Sequence, residues 1–369
     1  MRLKLPCRHG GLAIPDPREL AVEEYEASRR ATRSFSELIT EGVLKDITIQ
    51  DAISGKKEGR LIRSERDKAY EVIKDSLKSR MVGRQRVAFE ESVGRGKSGL
   101  LTKVPTTNSG LQMEPMWFRI GLQMRLGLPV VDLPDRCPDC LKKNSLEHAL
   151  GSGENGACGG ARDRRHDEVC DHLRQLAREA GFWVREETEP LVGKIDEKDK
   201  DTRCDWIIRG LLTPQRDTWI DGKGMDTGAD SHIVRHPMKV LEEGEREKIK
   251  KHGRRVNLAN GSDFIPIVFS VYGSVAPRCQ QIIKTCTEKM LGKSAAEDQQ
   301  GLSMLLHLNR ARFQAAIWRA TALCVVGRRG KKAAEERARV QMMEAQMQGG
   351  KELPWVCVAG DAGCAGESW

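Results

Sequence analysis

The order in which apolar periods follow one another between residues 165 and 272 limits the fold of this chain more than any other feature. Asp167 to Ala180 repeats apolar residues at helical spacing (Val169, Leu173, Leu176, Ala177), and Gly181 stops the repeat. Phe182 to Glu187, Arg203 to Gly210 and Asp217 to Lys223 read as strands, Lys239 to Leu258 as a strongly charged helix, and Phe264 to Val271 as an apolar strand. The predicted fold class is α/β with an α-β-β-β-α-β core. One sheet carrying its helices lets each of these elements bury its apolar side.

With 369 residues the chain is too long for that core alone. Upstream, Asp16, Pro17 and Glu19 make a capping box before a helix to about Ala31. Ser64 to Val93 alternates apolar and charged residues as a long solvated helix or helix pair, and Gly94 to Gly110 reads as a linker. Glu114 to Gly127 is an amphipathic helix with Met116, Trp117, Ile120 and Met124 as core, and Leu128 to Arg136 is extended. Downstream, helices over Arg278 to Leu291 and Ser303 to Val326 are expected to pack on the sheet. Arg328 to Gln348 reads as an exposed helix, and the Gly-rich end as disordered. The expected division is 1–33, a helical region 34–136, a small cysteine-bearing unit 137–163, the α/β unit 164–327, and a tail 328–369.

Lys and Arg number 62 against 53 acids, for a net charge of +9, which favours a polyanionic partner, nucleic acid first. Aromatics at 5% and charged residues at 31% fit a helix-rich chain and exclude a compact all-β one. No stretch approaches the apolar length of a membrane span, and the start lacks the apolar run of a signal peptide, so an intracellular location is expected. The eleven cysteines then read as thiols or metal ligands. Cys170, Cys204, Cys279, Cys286 and Cys324 read as small buried apolar residues.

Two groups of residues carry chemistry. Cys137 and Cys140, two residues apart, can turn both thiolates to one tetrahedral Zn²⁺, with His148 and Cys158 closing the site from a Gly-rich loop. That loop has no apolar core to hold it, which favours a metal. Asp205 and Asp221 fall on the second and third predicted strands, where paired carboxylates can hold Mg²⁺ beside a scissile phosphate. Lys223 shares the face of Asp221, because strand side chains alternate. Near the start of the first helix, Glu168 is a candidate further metal ligand, and His166 or Arg165 a candidate phosphate contact. Arg246, Lys248, Lys250, Lys251, Arg254 and Arg255 make a basic run on the second helix, a candidate phosphate track in Lys248, Lys251, Arg254 and Arg255.

These motifs resemble the C-terminal region of non-long-terminal-repeat retrotransposon polyproteins, in which a CCHC zinc knuckle and an Arg-His motif precede a restriction-like endonuclease of the PD-(D/E)xK type. The likeness spans most of residues 1 to 327. Leu5 to Pro17 resembles the segment just beyond the polymerase palm; Cys137, Cys140 and His148 match the knuckle, Arg165 and His166 the Arg-His pair, and Asp205, Asp221 and Lys223 the nuclease. The chain departs from the family at Ser152, where the last knuckle Cys usually stands, leaving Cys158 to reach back, and at Cys204, where a Pro is common. No polymerase Asp-Asp motif occurs, so reverse transcription is not expected of this chain. The resemblance implies a nuclear, Mg²⁺-dependent endonuclease that nicks duplex DNA, with the freed 3′-hydroxyl priming reverse transcription of element RNA. The alternative is a catalytically inactive zinc-knuckle remnant that still binds nucleic acid.

Overall fold

The computed structural model describes residues 2–14, 16–40, 49–94, 96–103, 105–106, 109–131, 133–137, 140–151, 161–186, 204–292 and 298–347. Before the sheet come α1 (Pro17–Thr40), α2 (Ile49–Arg80), α3 (Gly83–Ser92), α4 (Gly99–Thr102), α5 (Pro115–Leu126), α6 (Leu146–Leu150) and α7 (Ala161–Glu179). There follow β1 (Trp183–Glu186), β2 (Trp206–Arg209) and β3 (Asp217–Met225). Next come α8 (Pro237–Lys248), a π-helical turn at Ile249–Gly253, α9 (Arg254–Asn260) and β4 (Asp263–Ser270). Two helices end the chain's described part, α10 (Pro277–Leu291) and α11 (Gln299–Met347). The protein is mixed α/β with one four-stranded sheet, and from α7 to β4 its elements follow the expected order of helix, three strands, helix and strand.

The strands lie in sequence order, with β1 and β2 antiparallel, β2 and β3 antiparallel, and β3 and β4 parallel. The parallel step needs a crossover, which α8, the π-helical turn and α9 supply. One sheet face buries Trp206, Ile208, Ile220, Ile265 and Ile267 against Val169 and Leu173 of α7, Ile282 and Ile283 of α10, and Phe313 and Ile317 of α11. Both terminal helices therefore pack on the sheet, as their periodicity suggests. The opposite face packs Ile207, Trp219 and Phe264 on Val256 of α9, and Val268 on Leu241 of α8.

Several boundaries differ from the sequence reading. Helix α7 begins six residues earlier than Asp167, so Arg165 and His166 are helical instead of lying ahead of a cap. Helix α11 joins two expected helices, because no Pro separates Val326 from Arg328 and the Gly residues there are tolerated within a helix. The stretch read as a linker is packed: Leu100 of α4 and Leu111 are buried with Ala311, Ala315 and Trp318 of α11. The N-terminal segment is docked as well. Arg2 donates to the carbonyls of Leu126 and Arg125, both at 2.7 Å, and the buried Arg125 guanidinium donates to Cys7 O at 3.2 Å. Arg203, Glu187, Cys158, Ser152 and the Gly-rich tail lie outside the described residues.

Candidate functional site

The antiparallel register of β2 and β3 pairs Trp206 with Ile220, so one step outward sets Asp205 beside Asp221. The Asp205 amide continues the ladder, donating to Ile220 O at 2.9 Å. Directly opposed residues share a sheet face, and Lys223 lies two residues on from Asp221, hence on that face too. The two acids interact: Asp205 is among the charges that raise the Asp221 carboxyl.

Each acid is approached by cations from a different helix. Lys248, the last residue of α8, donates Nζ to Asp221 Oδ2 at 2.7 Å, and His252 Nε2 lies 3.2 Å from the same oxygen. The π-helical turn follows Lys248 directly and contains His252, an inserted geometry of the kind that re-aims side chains within a helix. Burial raises the Asp221 carboxyl above its ordinary value, and Lys248 only partly opposes this. Burial pushes His252 down to about 4, with Lys251, Lys248 and Arg255 adding to the effect.

Asp205 is held from the other side of the sheet. His166 Nε2 lies 3.0 Å from Asp205 Oδ2, and the Gly222 amide donates to that same oxygen at 2.6 Å. Burial pushes Asp205 up, but these hydrogen bonds outweigh it and leave the carboxyl below its usual value. Burial likewise opposes charge on His166, yet the contact with Asp205 raises it to about 12. The approach depends on Gly222: a Cβ there would stand 2.7 Å from both His166 Nε2 and Cys170 Sγ. The middle residue of Asp221-Gly222-Lys223 thus opens the path by which α7 reaches the acids.

Lys223 shares the face of Asp221, but its ammonium pairs with Glu247 Oε2 of α8 at 2.5 Å. Among the described residues, then, Asp205, Asp221 and His166 are brought together, and Lys223 joins them only by sharing the strand face. Glu168 is not: one residue pair further round α7, it faces Arg319 of α11, with an oxygen 3.8 Å from its guanidinium. Arg165 is only 2% exposed and donates to Leu150 O at 3.0 Å, tying α6 to α7 instead of presenting charge to solvent. The basic run also divides. Lys251 and Arg254 are exposed, whereas Arg255 is buried and Lys248 turns in to Asp221. A helix with one face on a sheet cannot point consecutive cations all outward.

Cys137, Cys140 and His148 form a second group, with ligand atoms within 4.8 Å of one another, that could hold a metal ion. Cys137 opens a tight turn in which its amide donates to Lys142 O and its carbonyl accepts from Leu141 N, each at 2.8 Å. Ser145 caps α6 by accepting from the His148 amide at 3.1 Å, which turns the imidazole back toward the cysteines. Cys140 Sγ and His148 Nε2 are 3.4 Å apart, close to the roughly 3.6 Å edge of a tetrahedral Zn²⁺ site with one S and one N ligand.

Sequence reasoning missed Lys248 and His252 as partners of Asp221, and Cys170 as a neighbour of His166. His166 and Cys170 are four residues apart on one helix, a spacing that marks a shared face. The pairing of α8 with Asp221 carries no such signal, since it arises from the crossover.

No protein-family model matches the chain, and no curated protein matches it either. No helix among the described residues is long and apolar enough to cross a membrane.

Proposed function

We propose that the protein is a metal-dependent DNA endonuclease with a restriction-endonuclease-like core, nicking duplex DNA by phosphodiester hydrolysis. The observation that carries this reading is the opposition of Asp205 and Asp221 across β2 and β3 with Lys223 on the same face. Two carboxylates side by side at the two inner strands of the sheet suit a divalent cation. The buried Asp221 already draws an ammonium to 2.7 Å, the kind of charge a metal would supply. Mg²⁺ bound there would polarise the phosphate and lower the pKa of an attacking water. Asp205 and Asp221 would hold it, and Lys223, released from Glu247, would stabilise charge on the phosphate.

Zn²⁺ on Cys137, Cys140 and His148, with Cys158 as fourth ligand, would order the knuckle. Lys251 and Arg254 are the exposed part of the phosphate track. The family resemblance extends the reading to a nuclear role in which the nicked strand primes copying of element RNA; a polymerase would have to be supplied elsewhere.

A second reading is favoured by one observation: Lys248 on Asp221 and His166 on Asp205 already compensate both acids. In that reading the chain binds nucleic acid without cutting it. Supercoiled plasmid incubated with the protein in Mg²⁺ and in chelator separates the two. Metal-dependent nicking lost in Asp205→Asn supports the nuclease; metal-independent binding without nicking under any divalent ion supports the binder.

A further inference from the structure

We infer that His166, Cys170 and Asp205 form a second transition-metal site, distinct from the knuckle and different in chemistry from the acid pair. Their ligand atoms lie within 4.8 Å of one another. His166 Nε2 is 3.0 Å from Asp205 Oδ2 and 3.7 Å from Cys170 Sγ. A tetrahedral ion with metal–ligand distances of about 2.0 to 2.3 Å has ligand-to-ligand edges of roughly 3.4 Å for N and O and 3.6 Å for N and S. Both distances from His166 Nε2 therefore lie within a few tenths of an ångström of that geometry.

The surroundings fit a metal site in further ways. His166 Nδ1 lies 3.1 Å from Asp167 Oδ1, so a carboxylate can hold the proton on Nδ1 and leave the Nε2 lone pair for the ion. This carboxylate–histidine pairing recurs behind metal-bound imidazoles. The Gly222 amide, donating to Asp205 Oδ2 at 2.6 Å, fixes the carboxylate in turn. The missing side chain at Gly222 is what leaves room for both α7 ligands.

The donor set, one nitrogen, one sulfur and one oxygen, selects a borderline ion such as Zn²⁺ or Co²⁺ over Mg²⁺, which takes oxygen ligands. Three protein ligands leave a fourth tetrahedral position for a water or a phosphate oxygen, the arrangement of catalytic and not structural zinc. A carboxylate has two oxygens, so Oδ2 of Asp205 can serve this ion while Oδ1 stays available to a hard cation shared with Asp221. The site does not depend on the chain being a nuclease.

The test uses Co²⁺ as probe on the full chain carrying Cys137→Ser and Cys140→Ser, which removes the knuckle thiolates. About one Co²⁺ per chain should bind, with a near-ultraviolet thiolate-to-metal absorption. Adding Cys170→Ser should remove that absorption, and His166→Gln should weaken binding at least tenfold with circular dichroism unchanged. Absence of bound Co²⁺ in this background, absorption that survives Cys170→Ser, or affinity unchanged in His166→Gln would each overturn the site. Should the double variant misfold, the unmodified chain decides: a Co²⁺ count that His166→Gln lowers by about one supports the site, and an unchanged count refutes it.

Discussion

The acid centre and the cysteine hairpin both gather metal-ligating side chains, but they are built by opposite means. Asp221 sits on a strand whose neighbours Trp206 and Ile220 are fully buried, and its charge is answered by Lys248 from another element. The hairpin from Asp135 to Asn144 rests on a few backbone hydrogen bonds, such as Asn144 N to Asp135 O at 2.8 Å, and Cys140 and His148 are only half-buried. Its apolar anchor is α6, through Leu150 in the cluster shared by α3, α5 and α11. The difference teaches that the acid centre is set in place by folding of the core, whereas the hairpin has only its backbone hydrogen bonds and the α6 anchor to hold three side chains that could bind a metal.

The largest expected effect breaks that contrast at the hairpin. In the proposed zinc knuckle, binding of the ion is worth on the order of 10 kcal/mol, so Cys137→Ser should abolish it and leave the hairpin from Asp135 to Asn144 unprotected in hydrogen exchange. The amides of β2 and β3 should keep their protection. Loss of protection in both regions together would show that the hairpin is part of the core.

The next test is steric and lies at the acid centre. Gly222→Ala places a methyl 2.7 Å from His166 Nε2 and Cys170 Sγ, an overpacking that should cost about 1 to 3 kcal/mol. Urea unfolding measures it, and an unchanged midpoint would mean that α7 gives way freely and that Asp205 is not held from that side.

A smaller effect concerns the basic helix, now divided into two faces. Lys251→Ala and Arg254→Ala should each reduce the salt slope of DNA binding by about 1 without altering sequence preference. Arg255→Ala should lower stability instead, because its guanidinium is buried. Equal salt effects at all three positions would contradict the division.

The smallest effect is a pH dependence away from both centres. Glu91 is buried and accepts from Thr227 Oγ1 and from Ser270 Oγ at 2.7 Å, joining α3 to the sheet. Burial raises its carboxyl above the unfolded value of 4.5, against the opposing pull of Lys97 and the hydroxyls. The folded chain then holds more proton than the unfolded one above that pH, so the stability from this group falls as pH rises. Glu91→Gln should flatten the decline of melting temperature with pH; parallel curves for the two proteins would count against it.

Much of this was legible in the residues. Apolar runs of strand length and the 3.6-residue repeat of α7 were enough to anticipate the order from α7 to β4, because burial on a sheet imposes those periods. Asp205 and Asp221 could be placed on adjacent strands by the same reasoning, and the Cys137, Cys140 and His148 group by spacing alone. What could not be read were contacts set by tertiary packing. Lys248 looks like a surface cation until the crossover brings it to Asp221, and Arg165 and Glu168 look available until α6 and α11 cover α7. The glycine of Asp221-Gly222-Lys223 reads as a mere spacer until His166 fills the space beside it.

The central claim is that the Asp205 and Asp221 pair is a catalytic metal centre, and plasmid nicking by Asp221→Asn beside the unmodified chain tests it most directly. Asn keeps the volume and removes the charge, so circular dichroism and melting should change little. In Mg²⁺ the unmodified chain should convert supercoiled plasmid to open circles, and the variant should do so more slowly by roughly two orders of magnitude or more, since the metal supplies several kcal/mol to the transition state. DNA binding should persist or tighten, because the remaining carboxylate repels phosphate less than a pair does. An unmodified chain that nicks no faster than its Asp221→Asn variant would contradict the account.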